Sequence, residues 1–402
     1  MDQDQDDFDL QVYEESESDF LSESKTFATS DDPHAAIIRT SDRITYRSCR
    51  RKWDWSYSGR HNLRSKSESA PFWLGSGFHF ALEDYHGYHK FEHPSDALSA
   101  YERATRKSGL ILPNDIKDML ELGRGMLSYY ESWLINRERL KTLWIDGVPQ
   151  VEVNVLIEIP KEDLLRAGCS QKVLDLYTQI LYSSTLDRIT IDSYNRLWIN
   201  EYKSAKNYQW YHLDTDQQVT SYSWIAHIKY PQYEIAGTCY QQHKKRAPEP
   251  PAFLASTKMF STSKRQKTTY ALYYTALQNL YGPDKSRWPQ PNREYLDYVM
   301  QNESEGGDSL IKRDYVERNE FQIKNEYQKM LMEVSEMLDP DLQIYPNPTR
   351  DCQWDCPFKL PCVHLDSDAD WVSELHSSTM NRSAEEAQWR KYLVTPDILS
   401  HF

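Results

Sequence analysis

TLDRITIDSYNRLWINEYKSAK, residues 185–206, reads as a β-hairpin, with TLDRITI and LWINEYK as its strands and Asp192, Ser193 and Asn195 in the turn. With residues 193–195 as a three-residue loop and Asn195 in the left-handed conformation, Asp192 pairs with Arg196. That register sets Asp187 opposite Glu201, and opposed residues project from one face of a sheet. Lys203 lies two residues beyond Glu201 and shares the face.

Two carboxylates and a lysine converging on one face suit phosphodiester hydrolysis. Carboxylate oxygens are hard ligands that hold Mg²⁺ or Mn²⁺ and leave positions open for water and phosphate. The metal lowers the pKa of bound water, and a nearby lysine positions that water or stabilises the transition state. The same letters also fit a solvent-facing strand with an ordinary Glu–Lys pair, so the neighbouring segments decide. Upstream, LGSGFHFALEDY (74–85) reads as a helix capped by Ser76, with His79, Leu82 and Glu83 on one side. A structural histidine is an equally ordinary reading of His79. Downstream, LDTDQQVTSYSWIAHI (213–228) opens with Asp214 and Gln217 at capping-box spacing and puts Gln218 and Tyr222 on one helical face.

In this order the segments resemble the RecB-like branch of the PD-(D/E)XK nucleases, which includes exonucleases associated with CRISPR adaptation. The pattern is a G-x-x-H helix, a strand Asp, a (D/E)-x-K strand and a Q-x-x-x-Y helix. Gly75 or Gly77 with His79, then Asp187, then Glu201, Tyr202 and Lys203, then Gln218 and Tyr222 follow it. The resemblance implies that His79, Asp187 and Glu201 ligate the metal, with the Tyr202 carbonyl completing the sphere. It makes Lys203 the catalytic lysine, and it gives Gln218 and Tyr222 a contact to DNA or a buttressing role. Exonuclease is expected over endonuclease, because histidine-bearing members of this branch process DNA ends.

Cys352, Cys356 and Cys362 cluster in DCQWDCPFKLPC, and Cys49 stands far upstream in TYRSCRRKW. Three clustered cysteines need a fourth ligand, for Zn²⁺ or for an iron–sulfur cluster. The resemblance implies a 4Fe–4S cluster on Cys49, Cys352, Cys356 and Cys362, because iron–sulfur members place one cysteine before the G-x-x-H helix and three after the core. The spacing departs from the family in one place: three residues separate Cys352 from Cys356, where two are usual. Cys239, in the strand-like YEIAGTCYQQ, reads as a buried thiol.

Farther out, charge divides the chain. Residues 1–32 hold twelve Asp/Glu and one Lys, and they read as an acidic disordered tail. The remaining 370 residues carry 49 acidic and 46 basic side chains, so a body near neutrality can still offer basic surface. Residues 47–66 and 243–269 each hold seven Arg/Lys against one acidic residue. In the second stretch Lys244, Lys245, Arg246, Lys264, Arg265 and Lys267 are placed to track a phosphate backbone, and Tyr270, Tyr273 and Tyr274 to stack bases. The alternative is a solvated loop leading into a core helix whose tyrosines are buried. This stretch, the YPNP-x-x-x-C entry and the WDCPFK run also resemble cluster-bearing exonucleases of bacteriophages, over roughly residues 40–365.

Alternation in VEVNVLIEI and around 185–203 and 233–240 marks strands, whereas 71–140 and 314–338 read as helical. An α/β fold is expected: a restriction-endonuclease-like mixed sheet flanked by helices, in one domain over 33–365. A helical insertion over about 241–340 and an extension over 366–402 complete it. No secretion signal or membrane-length apolar run is visible, which points to the cytoplasm, and the phage resemblance implies that of an infected bacterial host. DNA and recombination proteins of phage or host are the expected partners. The rival is a non-catalytic DNA-binding or anti-defence interaction protein with a structural four-cysteine metal site.

Overall fold

The 185–206 hairpin lies at the centre of the protein in the computed structural model. The structure describes residues 32–381, apart from 33, 68, 108–111, 113, 136, 210, 305–309, 354 and 355, together with 393–394. The tail expected over 1–32 lies almost wholly outside the described residues.

The first hairpin strand, β4 (Ile180–Ile191), and the second, β5 (Leu197–Ala205), pair antiparallel with Arg188 opposite Asn200 and Ile191 opposite Leu197. Asp192 N–H donates to the Arg196 carbonyl at 3.0 Å, and Asn195 has φ 61°. The expected register is therefore the observed one, because an asparagine can adopt the left-handed turn at little cost.

Apart from some two-residue strands, the others that matter here are β1 (Ala36–Arg39), β2 (Leu63–Ser65), β3 (Val151–Glu158), β6 (Ile235–Lys244), β7 (Ile311–Val316), β8 (Thr379–Asn381) and β9 (Leu393–Val394). The main sheet runs β7-β6-β5-β4-β3-β9. It is mixed: β5 and β6 are parallel, as are β3 and β9, and the other neighbours are antiparallel. β1 adds a parallel pairing to Ile180–Ser183 of β4. Since β3 occupies the other edge of β4 at Tyr182 and Ser183, β1 and β5 lie end to end along one edge.

Helices cover both faces. α1 (Thr40–Ser48), α6 (Gln217–Lys229) and α9 (Glu320–Leu338) bury Tyr46, Trp224, Met330 and Val334 with Tyr182, Ile189 and Ile199 of the sheet. On the opposite face α3 (Ala70–Glu83), α4 (Pro94–Lys107) and α5 (Ile116–Leu134) bury Trp73, Phe78, Leu98 and Tyr130 against Tyr202 and Ile311. α6 is the crossover between parallel β5 and β6, and its nearly all-round burial follows from being roofed by α9. A mixed sheet between two helical layers is the expected fold class.

Several boundaries differ from expectation. Ser76 does not cap α3; that helix starts at Ala70 with Pro71 in its first turn, where a missing N–H costs nothing. Asp216 rather than Asp214 caps α6, its carboxylate accepting the Val219 N–H at 2.9 Å. Residues 311–316 form the edge strand β7, and α9 begins only after Asn319, which shares a capping box with Gln322. The insertion expected over about 241–340 is accordingly narrower. Only α7 (Tyr270–Tyr281) and α8 (Gln290–Ser304) build a separate apolar cluster, around Tyr273, Leu277 and Trp288. Of the extension expected over 366–402, the described residues pack on the rest of the chain. α10 (Trp371–Ser378) packs Leu375 on Trp55, β8 pairs with β2, and β9 joins the main sheet. No described helix is long and apolar enough to cross a membrane.

Candidate metal centre and its surroundings

The site forms where the β4–β5 ladder opens. The paired register ends at Arg188–Asn200, and the next position sets Asp187 against Glu201. There a side chain replaces a backbone acceptor: Asp187 Oδ2 accepts the Tyr202 N–H at 2.7 Å. Glu201 is 1 % exposed, and Lys203 Nζ forms an ion pair with its Oε1. The lysine also donates to Gln218 Oε1 at 3.3 Å, and Gln218 Nε2 donates to the Tyr222 hydroxyl at 2.6 Å. Tyr222 is only 4 % exposed, so it braces Gln218 from inside the core.

From the opposite helical layer, α3 brings His79 to this break. Its Nδ1 lies 3.3 Å from Glu152 Oε1 and 3.5 Å from Asp187 Oδ1. Glu152 is the residue that sequence reasoning missed. β3 pairs Val151 with Arg188 and Val153 with Leu186, so Glu152 faces Asp187. Its backbone is left-handed at φ 44°, an uncommon state for a glutamate, at the point where the carboxylate meets His79. The signal was the register between VEVNV and the Asp187 strand, which no turn fixes locally.

Electrostatics describe a centre overloaded with acid. Burial raises Glu201 to about 7, and Asp187 beside it adds to the shift, against Lys203 and His79. Burial and then Glu152 raise Glu83, one helical turn after His79, to about 8. Burial opposes a charge on His79, but Asp187, Glu152 and Glu201 outweigh it and lift the imidazole to about 9. Burial likewise disfavours the Lys203 ammonium, and Glu201 and Asp187 hold its proton regardless. Glu201 Oε2 is buried without a hydrogen-bond partner among the described residues, which is costly for a carboxylate unless a cation meets it. His79, Glu152 and Asp187 also offer ligand atoms all within 4.8 Å of one another. This donor set of hard oxygens and one imidazole fits a divalent cation such as Mg²⁺ or Mn²⁺.

A family profile of the PD-(D/E)XK nuclease superfamily matches residues 41–363. The chain belongs to that superfamily. No curated protein matches it. One solved structure, titled as that of SSO0001, aligns over 86 % of this chain and 90 % of its own at 11 % identity and a TM-score of 0.30, a likeness that carries no argument.

In this PD-(D/E)XK chain the basic residues singled out from sequence fall into two groups. Lys244 pairs in register with Ala205, and Lys245 N–H donates to the Ala205 carbonyl at 2.8 Å, so both lie at the end of the Lys203 strand. Each also has an internal partner: Lys244 Nζ lies 4.3 Å from the Tyr208 ring centroid, and Lys245 Nζ donates to the Pro71 carbonyl at 2.8 Å. Arg246 is exposed nearby. Lys264, Arg265 and Lys267 lie just before α7. Lys264 sits over Tyr298, Arg265 is exposed and Lys267 pairs with Glu249 at 2.9 Å. Tyr273 is fully buried and bonded to Asn292, which removes it as a base-stacking platform.

The PD-(D/E)XK core is bracketed by the four cysteines, which the structure gathers. Cys49 ends α1 and precedes α2 (Arg50–Ser56), close enough to Cys356 and Cys362 to shift their thiols electrostatically, as Cys352 does for Cys356. Burial raises the Cys356 and Cys362 thiols. Around them, Lys52 N–H and Asn347 N–H donate to Cys49 Sγ at 3.5 and 3.4 Å, Thr349 N–H to Cys352 Sγ at 3.4 Å, and Arg51 Nη1 to Cys362 Sγ at 3.4 Å. Cys169 and Cys239 are buried elsewhere.

Proposed function

We propose that this chain is a metal-dependent DNA exonuclease that also carries a 4Fe–4S cluster. The observation that carries the nuclease reading is the convergence of Asp187, Glu201, Lys203 and His79 at the opened β4–β5 ladder, with one buried Glu201 oxygen unpartnered. His79, Asp187 and Glu201 would hold the cation, with the Tyr202 carbonyl as a further ligand. A divalent cation supplies an activated water and neutralises charge developing on the phosphate. Lys203, kept protonated by its two carboxylate neighbours, donates toward a phosphate oxygen. Gln218 fixes the Lys203 ammonium and Tyr222 fixes Gln218. Lys244, Lys245 and Arg246 at the strand end supply backbone-directed charge for the DNA. The histidine supports end processing, through the resemblance to histidine-bearing exonucleases. The resemblance to phage-borne members puts the activity in phage DNA recombination or end repair in the bacterial cytoplasm.

The resemblance to iron–sulfur members favours the cluster over zinc on Cys49, Cys352, Cys356 and Cys362. The N–H···S bonds are of the kind that tune iron–sulfur clusters.

The test is incubation of purified protein with end-labelled linear DNA and with circular DNA, in Mg²⁺, Mn²⁺ or EDTA, alongside iron and zinc analysis. Stepwise loss of linear DNA with metal only, and about four irons per chain, are expected. Cutting of circular DNA would make the enzyme an endonuclease. Silence with both metals would overturn the nuclease reading, and colourless zinc-loaded protein would overturn the cluster.

A further inference from the structure

We propose that Tyr211, in the loop joining β5 to α6, is a base-stacking platform that receives the unpaired end of a DNA strand beside the carboxylate centre. This rests on the nuclease reading above and adds the form of DNA that enters the site.

An exposed tyrosine is ordinary by itself, and Tyr211 is 76 % exposed. What sets it apart is how its loop is held. β5 and β6 are parallel neighbours, with Glu201 in register with Tyr240 and Lys203 in register with Gln242. Residues in register project from one face, so Tyr240 and Gln242 stand beside the two functional side chains. Both grip the loop. Gln242, itself 1 % exposed, turns both ends of its amide to one loop residue: Oε1 accepts the Gln209 N–H at 2.7 Å, and Nε2 donates to the Gln209 carbonyl at 2.8 Å. Tyr240 meets the His212 ring edge-to-face at 6.2 Å, and His212 meets Tyr211 in the same way at 5.6 Å. A file of three rings therefore runs outward from the strand pair that carries Glu201 and ends at Tyr211. A ring fixed before binding loses little entropy when a base stacks on it.

Charge on this edge suits the same ligand. Lys206 and Arg246 are exposed just past the ends of β5 and β6, and Lys244 Nζ lies 4.3 Å from the Tyr208 ring centroid. The acids that follow the loop, Asp214 and Asp216, belong to the start of α6. Asp216 caps that helix, and Arg318 is near enough to both for their charge to favour its own. Basic side chains that track phosphates, beside a ring that takes bases, hold single strands without regard to sequence. Inside a duplex the faces of the bases are covered by their neighbours, so such a ring reaches them only where the strand is unpaired.

The experiment measures binding of the full-length protein in EDTA, where nothing is cut, by filter retention. The three DNAs are a mixed-sequence single strand, an abasic strand of the same length and a closed circular duplex. The variants are Tyr211→Ala, Tyr211→Phe and, as a matched control, Tyr194→Ala; Tyr194 is 79 % exposed in the turn at the other end of the β4–β5 hairpin. Tyr211→Ala should bind the single strand about ten-fold more weakly, the scale of one lost base–aromatic stack, and the other two DNAs as wild type does. Its melting temperature should be unchanged. Tyr211→Phe and Tyr194→Ala should match wild type on all three DNAs. A 2-aminopurine in the single strand should be quenched by wild type and less so by Tyr211→Ala. Equal weakening on all three DNAs would make Tyr211 a backbone contact and overturn the platform, as would no weakening at all or a similar loss in Tyr194→Ala. If wild type cuts DNA with metal while the platform fails these tests, the nuclease reading stands alone. If the base-dependent loss is found and wild type does not cut, the platform stands and the nuclease reading falls.

Discussion

The carboxylate centre and the cysteine group are both places where this chain gathers metal-binding side chains, and they are built in opposite ways. At the carboxylate centre the scaffold is complete without an ion. Asp187 and Glu201 are fixed by a sheet, Lys203 is tied to Glu201 and Gln218, and Tyr222 closes the series from inside the core. What is left over is charge. At the cysteine group charge is modest and the scaffold is thin. The four thiols are each partly exposed, and Cys49 is held against the C-terminal segment by one N–H···S bond from Asn347, the Asn347 side chain on the Ser48 carbonyl at 2.9 Å, and the small apolar cluster of Trp55, Phe358 and Leu375. Under the function proposed above, a metal at the first site would finish chemistry and a metal at the second would finish structure. Changes at the first should therefore appear in rates, and changes at the second in stability.

The strongest break is expected at the carboxylates. Asp187→Asn and Glu201→Gln each remove an anionic oxygen that a neutral isostere cannot replace, and cleavage should fall by about three orders of magnitude or more. Iron content and melting temperature should stay near wild type, because Lys203 loses a partner but no core packing changes. Near-normal cleavage by either variant would move the metal elsewhere.

Next comes the staple. Cys49 and Cys352 are about three hundred residues apart in sequence, so a shared cluster closes most of the chain into a loop. Cys49→Ala should bleach the visible absorbance and cost on the order of 4 kcal/mol, the scale for covalently closing a loop beyond 100 residues. Protease sensitivity should rise at both chain ends, and cleavage at low temperature should persist. Cys169→Ala and Cys239→Ala should keep their iron. Full iron in Cys49→Ala, or its loss in a control, breaks the contrast drawn here.

Lys203→Ala sharpens the comparison from the other side. It should lower turnover by roughly 2–4 kcal/mol in the chemical step, with little change in DNA affinity. A variant that binds weakly but turns over normally at saturation would make Lys203 a simple phosphate contact.

How much of this was legible depended on sequence distance. The hairpin could be read because one short loop fixes its register, and Asn195 at φ 61° is what makes that loop work. Gln218 and Tyr222 could be read as one helical turn, although not that they point inward at Lys203. Glu152 was invisible because its partner lies in another strand and because alternation presumes extended backbone, which fails at a left-handed residue. The edge strand β7 was hidden by its polar middle, Lys312, Arg313 and Asp314, which suits a helix equally well. The cap at Asp216 lost to Asp214 in the sequence reading because spacing alone favours a capping box, while the 3₁₀ turn over Leu213–Thr215 delays the helix by two residues.

The smallest expected effect tests how far the carboxylate centre reaches into the core. Tyr222 holds Gln218, which holds Lys203. Tyr222→Phe deletes one hydroxyl from a packed site and leaves the ring among its neighbours, so the fold and the cluster should be unaffected. The lost hydrogen bond frees the Gln218 amide to rotate, and Lys203 then samples more than one position. About 1 kcal/mol is the ordinary value of such a bond, which corresponds to roughly a five-fold slower turnover. Because the effect passes through Lys203, it should vanish in a Lys203→Ala background, as a double-mutant cycle would reveal. If Tyr222→Phe instead weakens DNA binding at unchanged turnover, or slows Lys203→Ala further, the tyrosine acts on the nucleic acid directly and the inward relay from core to lysine is wrong.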